Sequence, residues 1–322
     1  MINWLLFLLA RSVIALLQAL PLLWVARVGR VGGCVFYWLD VRHRRVAQQN
    51  LQLCFGAEKS RHEIRALARE NFRRIGENFS CAVKTATMSA EELRGCFEFA
   101  GAENILSYQA GSGRQSRIIA IGHFGNFELY AHFGQFVPGF QCATTYRGLR
   151  QPSLNRVVQS LRAHSGCLLF ERRTGAAALR AAMSDSGLLL GLLADQHAGN
   201  NGLRIPFFGR ECSTTAAPAV FALRYRCPLH TAICYRTGLA RWRIEANAEI
   251  PIFENGCPRS TEAITLDINR TFEAAIRRDP ANWFWVHNRW KPAKSKSRGL
   301  AAEDGDSSPK AAEATAGASL PV

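Results

Sequence analysis

The chain opens on an almost unbroken apolar run. From Trp4 to Val25 it reads WLLFLLARSVIALLQALPLLWV, long enough to cross a bilayer as one helix, which takes about 20 residues. Asn3, Arg11 and Gln18 are spaced eight and seven residues apart and so share one helical stripe. Such a stripe predicts a helix that leans on the rest of the protein and lies partly in the membrane interface. Trp4 and Trp24 stand near its two ends, where interfacial aromatics sit. With no basic leader and no small-residue cleavage site, the run does not read as a signal peptide. Residues 1–26 are therefore expected to form a membrane anchor helix.

Beyond the anchor the pattern changes period. Residues 42–50 begin a polar helical region, and Ile64, Leu67, Phe72, Ile75 and Phe79 continue at helical spacing. Ser89 followed by acidic residues predicts another helix start. A loop is expected at 110–116. RIIAIG at 117–122 then reads as a buried strand ended by glycine. Helices predicted at 126–136, 153–164 and 175–185 alternate with strands near 141–146 and 167–170 and with the apolar run 187–195. Strands at 231–236 and 241–250 and a helix over 261–278 follow. This alternation predicts an α/β domain over 27–293 with a mostly parallel sheet flanked by helices. From Lys294 the chain loses aromatics and nearly all large apolar residues, so residues 294–322 are expected to be a disordered tail.

Composition narrows the function. Hydrophobic residues make up 48% of the chain, enough for a core. The net charge of +15 is carried almost entirely by arginine, whose planar fork suits phosphates. A basic surface fits nucleic acid or an anionic membrane, but no nucleic-acid module is present. The ten cysteines form no CxxC pair and match no zinc spacing. No metal is expected, and scattered cysteines fit a reducing, cytosolic compartment. Arg27, Arg30, Arg42, Arg44 and Arg45 follow the anchor and place its C-terminal side in the cytoplasm.

Candidate chemistry lies where RIIAIG runs into His123-Phe124-Gly125-Asn126-Phe127-Glu128. Five positions are about 500° on a continuous helix, so His123 and Glu128 meet only if the histidine sits in a strand-to-helix turn. Gly125 frees the backbone for that turn, Asn126 is the expected N-cap, and the helix dipole favours an ionised Glu128. A carboxylate on one imidazole nitrogen leaves the other as a proton acceptor, and the helix N-terminus offers N–H groups to an oxyanion. An isolated H-x4-E is more often a solvated or capping pair; its place at a strand end, after a glycine turn and downstream of an anchor, favours chemistry.

Several blocks together resemble the bacterial lipid A biosynthesis acyltransferase family. They are RHRRVAQQNLQLCFG at 42–56, HFGNFE, TTYRGLRQPSLN at 144–155, LLADQHAGNNGLRIPFFGRECSTTAAPAVFA at 192–222 and PANWFWVHNRWK at 280–291. The resemblance spans about residues 1–292. It implies a glycerolipid-acyltransferase-like fold behind an N-terminal membrane helix, and acyl transfer from acyl carrier protein to a hydroxyl of a lipid A precursor. It implies the cytoplasmic face of the inner membrane and no cofactor. It makes His123 the base and Glu128 its orienting partner. Phe124, Gly125, Asn126, Tyr146, Arg147, Asp195, Gln196 and Arg289 become substrate-binding candidates, with Arg147 on a phosphate or the oxyanion. His287 and Arg289 are candidates for an anionic headgroup, while His287 reads equally as a core histidine and Asp195 equally as a cap. Rival readings are transfer to another glycolipid or to a lysophospholipid, and a catalytically silent lipid-binding protein. Lysophospholipid enzymes usually carry H-x4-D and Glu-Gly-Thr-Arg, which this chain lacks. No G-x-S-x-G elbow, H-E-x-x-H pair or P-loop occurs.

Overall fold

The computed structural model describes residues 2–106, 115–136, 139–149, 151–185 and 187–291. Most of the loop expected at 110–116 and the tail expected over 294–322 lie outside the described residues. In chain order the elements begin with α1 (Ile2–Ala19), α2 (Leu22–Leu39), α3 (Val41–Phe55), α4 (Arg61–Thr85), α5 (Ala90–Arg94), β1 (Phe97–Ala100), α6 (Ala102–Leu106) and β2 (Arg117–Ile121). A 3-10 helix over Phe127–Gln135 follows, then β3 (Gln141–Tyr146), α7 (Pro152–Ala163), β4 (Leu168–Glu171), α8 (Ala176–Ser184) and β5 (Leu188–Leu193). The chain continues through β6 (Leu203–Phe207), β7 (Arg210–Thr214), α9 (Ala217–Tyr225), β8 (Leu229–Gly238) and β9 (Arg241–Ala246). The short pair β10 (Phe253–Glu254) and β11 (Cys257–Pro258) precedes α10 (Thr261–Arg278).

The single anchor helix expected over 1–26 is two helices. Proline has no N–H to donate, and it drives the preceding residue out of the helical region. Helix α1 accordingly stops at Ala19 and α2 starts after Pro21. Among the described residues, Leu22–Leu39 is the helix long and apolar enough to cross a membrane, with mean hydropathy 1.2. One face of α2 lies on α4, where a Cβ on Gly33 would come within 2.1 Å of the Phe72 carbonyl oxygen. Arg30 ties the pair further, donating to Glu70 and to the fully buried Glu77. Helix α4 begins with a Ser60–Glu63 capping box and α5 with one at Ser89–Glu92.

Among the described residues the main sheet has seven strands in the order β1-β9-β8-β2-β5-β3-β4. The strands β8, β2, β5, β3 and β4 run parallel, and β9 folds back antiparallel on β8 with β1 parallel to β9. Central β2 and β5 are near-continuous apolar runs, as strands covered on both faces must be. Alternate residues feed two cores. Ile118, Ala120, Leu190 and Leu192 pack with Ile268 and Phe272 of α10. Ile119, Ile121, Cys142 and Leu189 pack with Leu129 and Phe133 of the 3-10 helix and with Val25 and Ala26 of α2. All ten cysteines are free. The β6–β7 hairpin, helix α9 and strand β1 had no counterpart in the sequence reading.

Candidate active site

Strands β2 and β5 are in register, with Ile121 opposite Leu193. Two residues further, His123 and Asp195 therefore arrive side by side. His123 Nδ1 lies 2.8 Å from Asp195 Oδ1, and the His123 backbone N–H donates to Oδ2 at 2.9 Å. Trp283 Nε1–H adds a third bond to Oδ2 at 2.7 Å. Asp195 is 1% exposed. Burial works to raise its carboxyl, but the positive charge a protonated His123 brings and the donated hydrogen bonds outweigh it and hold Asp195 at about 2. An ionised Asp195 fixes the proton on Nδ1 and leaves Nε2 as the acceptor.

This corrects the pairing expected from H-x4-E. Glu128 instead accepts from Arg162 of α7, whose Nε donates to Oε2 at 2.8 Å and whose Nη2 donates to Oε1. The 3-10 helix turns Glu128 away from Asp195's place on the ring, and a carboxylate from the neighbouring strand takes it. Asn126 makes no side-chain cap; it is buried and its amide donates to Thr85 Oγ1 at 3.4 Å.

The loop holding His123 is clamped by the closing segment. Gly125 N–H donates to the Asn282 carbonyl at 3.0 Å, and Phe284 N–H to the His123 carbonyl at 3.1 Å. Asn71 of α4 donates to the carbonyls of Ala281 and Trp283, and Asn50 of α3 to those of Trp285 and His287. Gly125 adopts φ +50°, and a Cβ there would sit 2.6 Å from the Cys234 carbonyl oxygen, so glycine is required twice over. Phe124, Gly125 and Asn126, substrate-binding candidates from the sequence, are buried and brace this loop: Phe124 is fully buried and bridged to Trp283.

His123 faces a cavity of about 600 Å³. Its mouth carries Glu128, Arg162, Tyr146, Arg147, Arg172, Gln196, His197 and His287, while its interior is apolar. Tyr146, Arg147 and Gln196, substrate-binding candidates from the sequence, line this cavity. His287 Nε2 accepts the His197 backbone N–H at 3.0 Å, and burial lowers its pKa to about 4, so this ring is neutral. Arg289 is a second correction. It is fully buried, donates to the Ser213 carbonyl and to Thr214 Oγ1, and lies over the Phe207 ring at 5.2 Å. It closes the β6–β7 hairpin and cannot meet a headgroup. Arg162, Arg172, His197 and Trp283 were missed. Arg162 sits 34 residues from Glu128, and no local pattern marks such a pair.

The chain is 23% identical over 257 residues to the lipid A biosynthesis palmitoleoyltransferase of Escherichia coli (strain K12), covering 78% of this chain and 79% of that protein. It has the same identity and coverage with the lipid A biosynthesis acyltransferase of Shigella flexneri. The model of bacterial lipid A biosynthesis acyltransferases matches residues 1–292, and the chain belongs to that acyltransferase family.

Proposed function

We propose that this acyltransferase moves a fatty acyl group from an acyl carrier protein thioester to a hydroxyl of a lipid A precursor, with His123 as general base and Asp195 as its orienting partner. The observation that carries the reading is the Asp195-bound His123 at the mouth of a cavity with an apolar interior. His123 Nε2 takes the acceptor hydroxyl proton as that oxygen attacks the thioester carbonyl. The tetrahedral oxyanion collapses, the C–S bond breaks, and the departing sulfur takes the proton from His123. Ester and thiol result, with no acyl-enzyme. Glu128 occupies Nε and Nη2 of Arg162, so we assign Arg162 Nη1 to the developing oxyanion. Arg147 and Tyr146 at the cavity mouth are assigned to a phosphate of the acceptor.

Attachment to the cytoplasmic face of the inner membrane belongs to the same proposal. It rests on the exposed apolar side chains of α1 and α2, among them Trp4, Leu9, Leu16, Trp24, Val31 and Phe36, with exposed Arg27, Arg42 and Arg45 on the flank.

The test offers purified protein one acyl carrier protein thioester with either a lipid A precursor or lysophosphatidic acid. Acylation of the glycolipid is expected, and His123→Ala should lower its rate by about 10²–10⁴. Acylation of lysophosphatidic acid with none of the glycolipid would transfer the assignment to lysophospholipid chemistry.

A further inference from the structure

The apolar interior of the cavity lies on one face of the sheet, and strand register gives its depth row by row. His123 and Asp195 stand past the strand ends. The first row inward holds Ile121 and Leu193, and the second holds Ile119 and Gly191. On β3, Thr144 pairs with Gly191 and Cys142 with Leu189, so Leu189 and Cys142 form the third row. Cys167 extends that row, since its neighbour Leu168 pairs with Ala143. Each row lies two residues, about 6.6 Å, farther from the histidine. The third row is the floor: Leu189, Cys142 and Cys167 are buried and pack with Phe133. The 3-10 helix rests directly on it, because a Cβ on Gly134 would lie 3.0 Å from Cys142 Sγ.

The middle row lacks a side chain at Gly191. Strand β5 is central to the sheet, yet Gly191 and Leu193 are partly exposed while Leu188, Leu189, Leu190 and Leu192 are buried, because they open onto the cavity. Glycine is not demanded there by packing. A Cβ would meet only Ile121 Cδ1 at 3.3 Å and the Ala143 carbonyl oxygen at 3.7 Å, and the backbone is not in the left-handed region.

We propose that Gly191 gauges acyl-chain length. Its missing side chain lets the chain pass from the Ile121–Leu193 row to the floor, and the Cys142–Cys167–Leu189 floor sets the longest chain admitted. This rests on the reading that the cavity receives the acyl group. One methylene in an apolar pocket discriminates by roughly 10–200-fold, so filling one row moves the preference decisively.

The experiment gives full-length protein an equimolar mixture of acyl carrier protein thioesters of graded chain length and reads the products by mass spectrometry. In parallel, fatty acids of the same lengths are titrated and the melting-temperature shift is recorded, which needs no turnover. Gly191→Val should move both optima to chains shorter by about one row, ~6.6 Å of extended chain. Gly191→Ala should move them the same way but less, and it covers the case in which the valine variant does not fold. Cys142→Ala deepens the floor and should move the optimum to longer chains. A wild-type optimum that neither glycine variant displaces overturns the gauge. Wild-type protein that neither transfers nor binds any chain overturns the acyl-cavity reading itself.

Discussion

At the scale of single residues, the site depends on a carboxylate that never meets solvent. Asp195 accepts three hydrogen bonds, two from His123 and one from Trp283, and these keep it ionised despite burial. Its value of about 2 lies below the 3.8 of a free aspartate. The pair therefore stabilises the fold above that free value and loses its contribution as pH falls through about 2. Asp195→Asn keeps the shape but can donate from its amide to the ring, favouring the wrong tautomer. It should lower kcat by up to about 10⁴, the size seen when a triad aspartate is so changed, while the melting temperature shows the variant folded. Glu128→Gln, which weakens only the grip on Arg162, should cost less. An Asp195→Asn variant turning over near the wild-type rate would remove Asp195 from the mechanism.

At the scale of elements, two contacts decide where the chemistry sits. The in-register pairing of β2 and β5 delivers His123 and Asp195 together from positions 72 residues apart. The crossing of α2 on α4 is the other. Gly29, Gly33 and Gly76 let the two backbones touch, with a Cβ on Gly76 falling 2.1 Å from the Gly29 carbonyl oxygen. Side chains there would meet rigid backbone rather than flexible ends. Gly33→Val is thus expected to lower stability by about 1–3 kcal/mol, the usual cost of overpacking, measured as a denaturation midpoint in detergent. Because α4 also carries Asn71, which holds the closing segment, activity should fall at temperatures below the global melt. A Gly33→Val protein with unchanged midpoint and activity would mean that the crossing is not held by close backbone contact.

At the scale of the molecule, the apolar helices α1 and α2 and the cavity share one side of the sheet. Leu17 and Leu20 at the end of α1, with Leu22, Val25 and Ala26, pack into the same core as Ile119, Ile121 and Phe133, which line the cavity. On the proposed function, an anchor on that side would bring a lipid acceptor towards His123. The arginines after the apolar run divide by role: Arg30 is held by Glu70 and Glu77, and Arg44 donates to the Tyr37 carbonyl and lies over its ring, whereas Arg27, Arg42 and Arg45 are exposed. Fully burying a Val, Leu or Phe side chain in apolar surroundings is worth about 1.5–3 kcal/mol, so the proposed attachment predicts that the exposed apolar face of α2 suffices without α1. Protein lacking α1 should still sediment with membranes at high salt, and adding Val31→Asp and Phe36→Asp should release it. If loss of α1 by itself leaves the protein in the supernatant, the anchor resides in α1.

Local physics fixed much of this protein from its order of residues. Apolar runs gave β2 and β5, the alternation of strands and helices gave β3, the serine cap at Ser89 gave the start of α5, and α10 matches its expected span at 261–278. His123 at a strand end was legible for the same reason: its context is written in adjacent residues. Pro21 within the apolar run counts against one simple span, and it is where the backbone breaks between α1 and α2. What only the tertiary structure decided are relations between strands and helices remote in sequence: Asp195 rather than Glu128 on the imidazole, Arg162 on Glu128, and Arg289 folded under the β6–β7 hairpin. The depth of the cavity at Gly191 is another. Hydrophobic periodicity records which face of an element is buried, but not which partner it is buried against. Sheet register supplies that partner, and it exists only once the chain has folded.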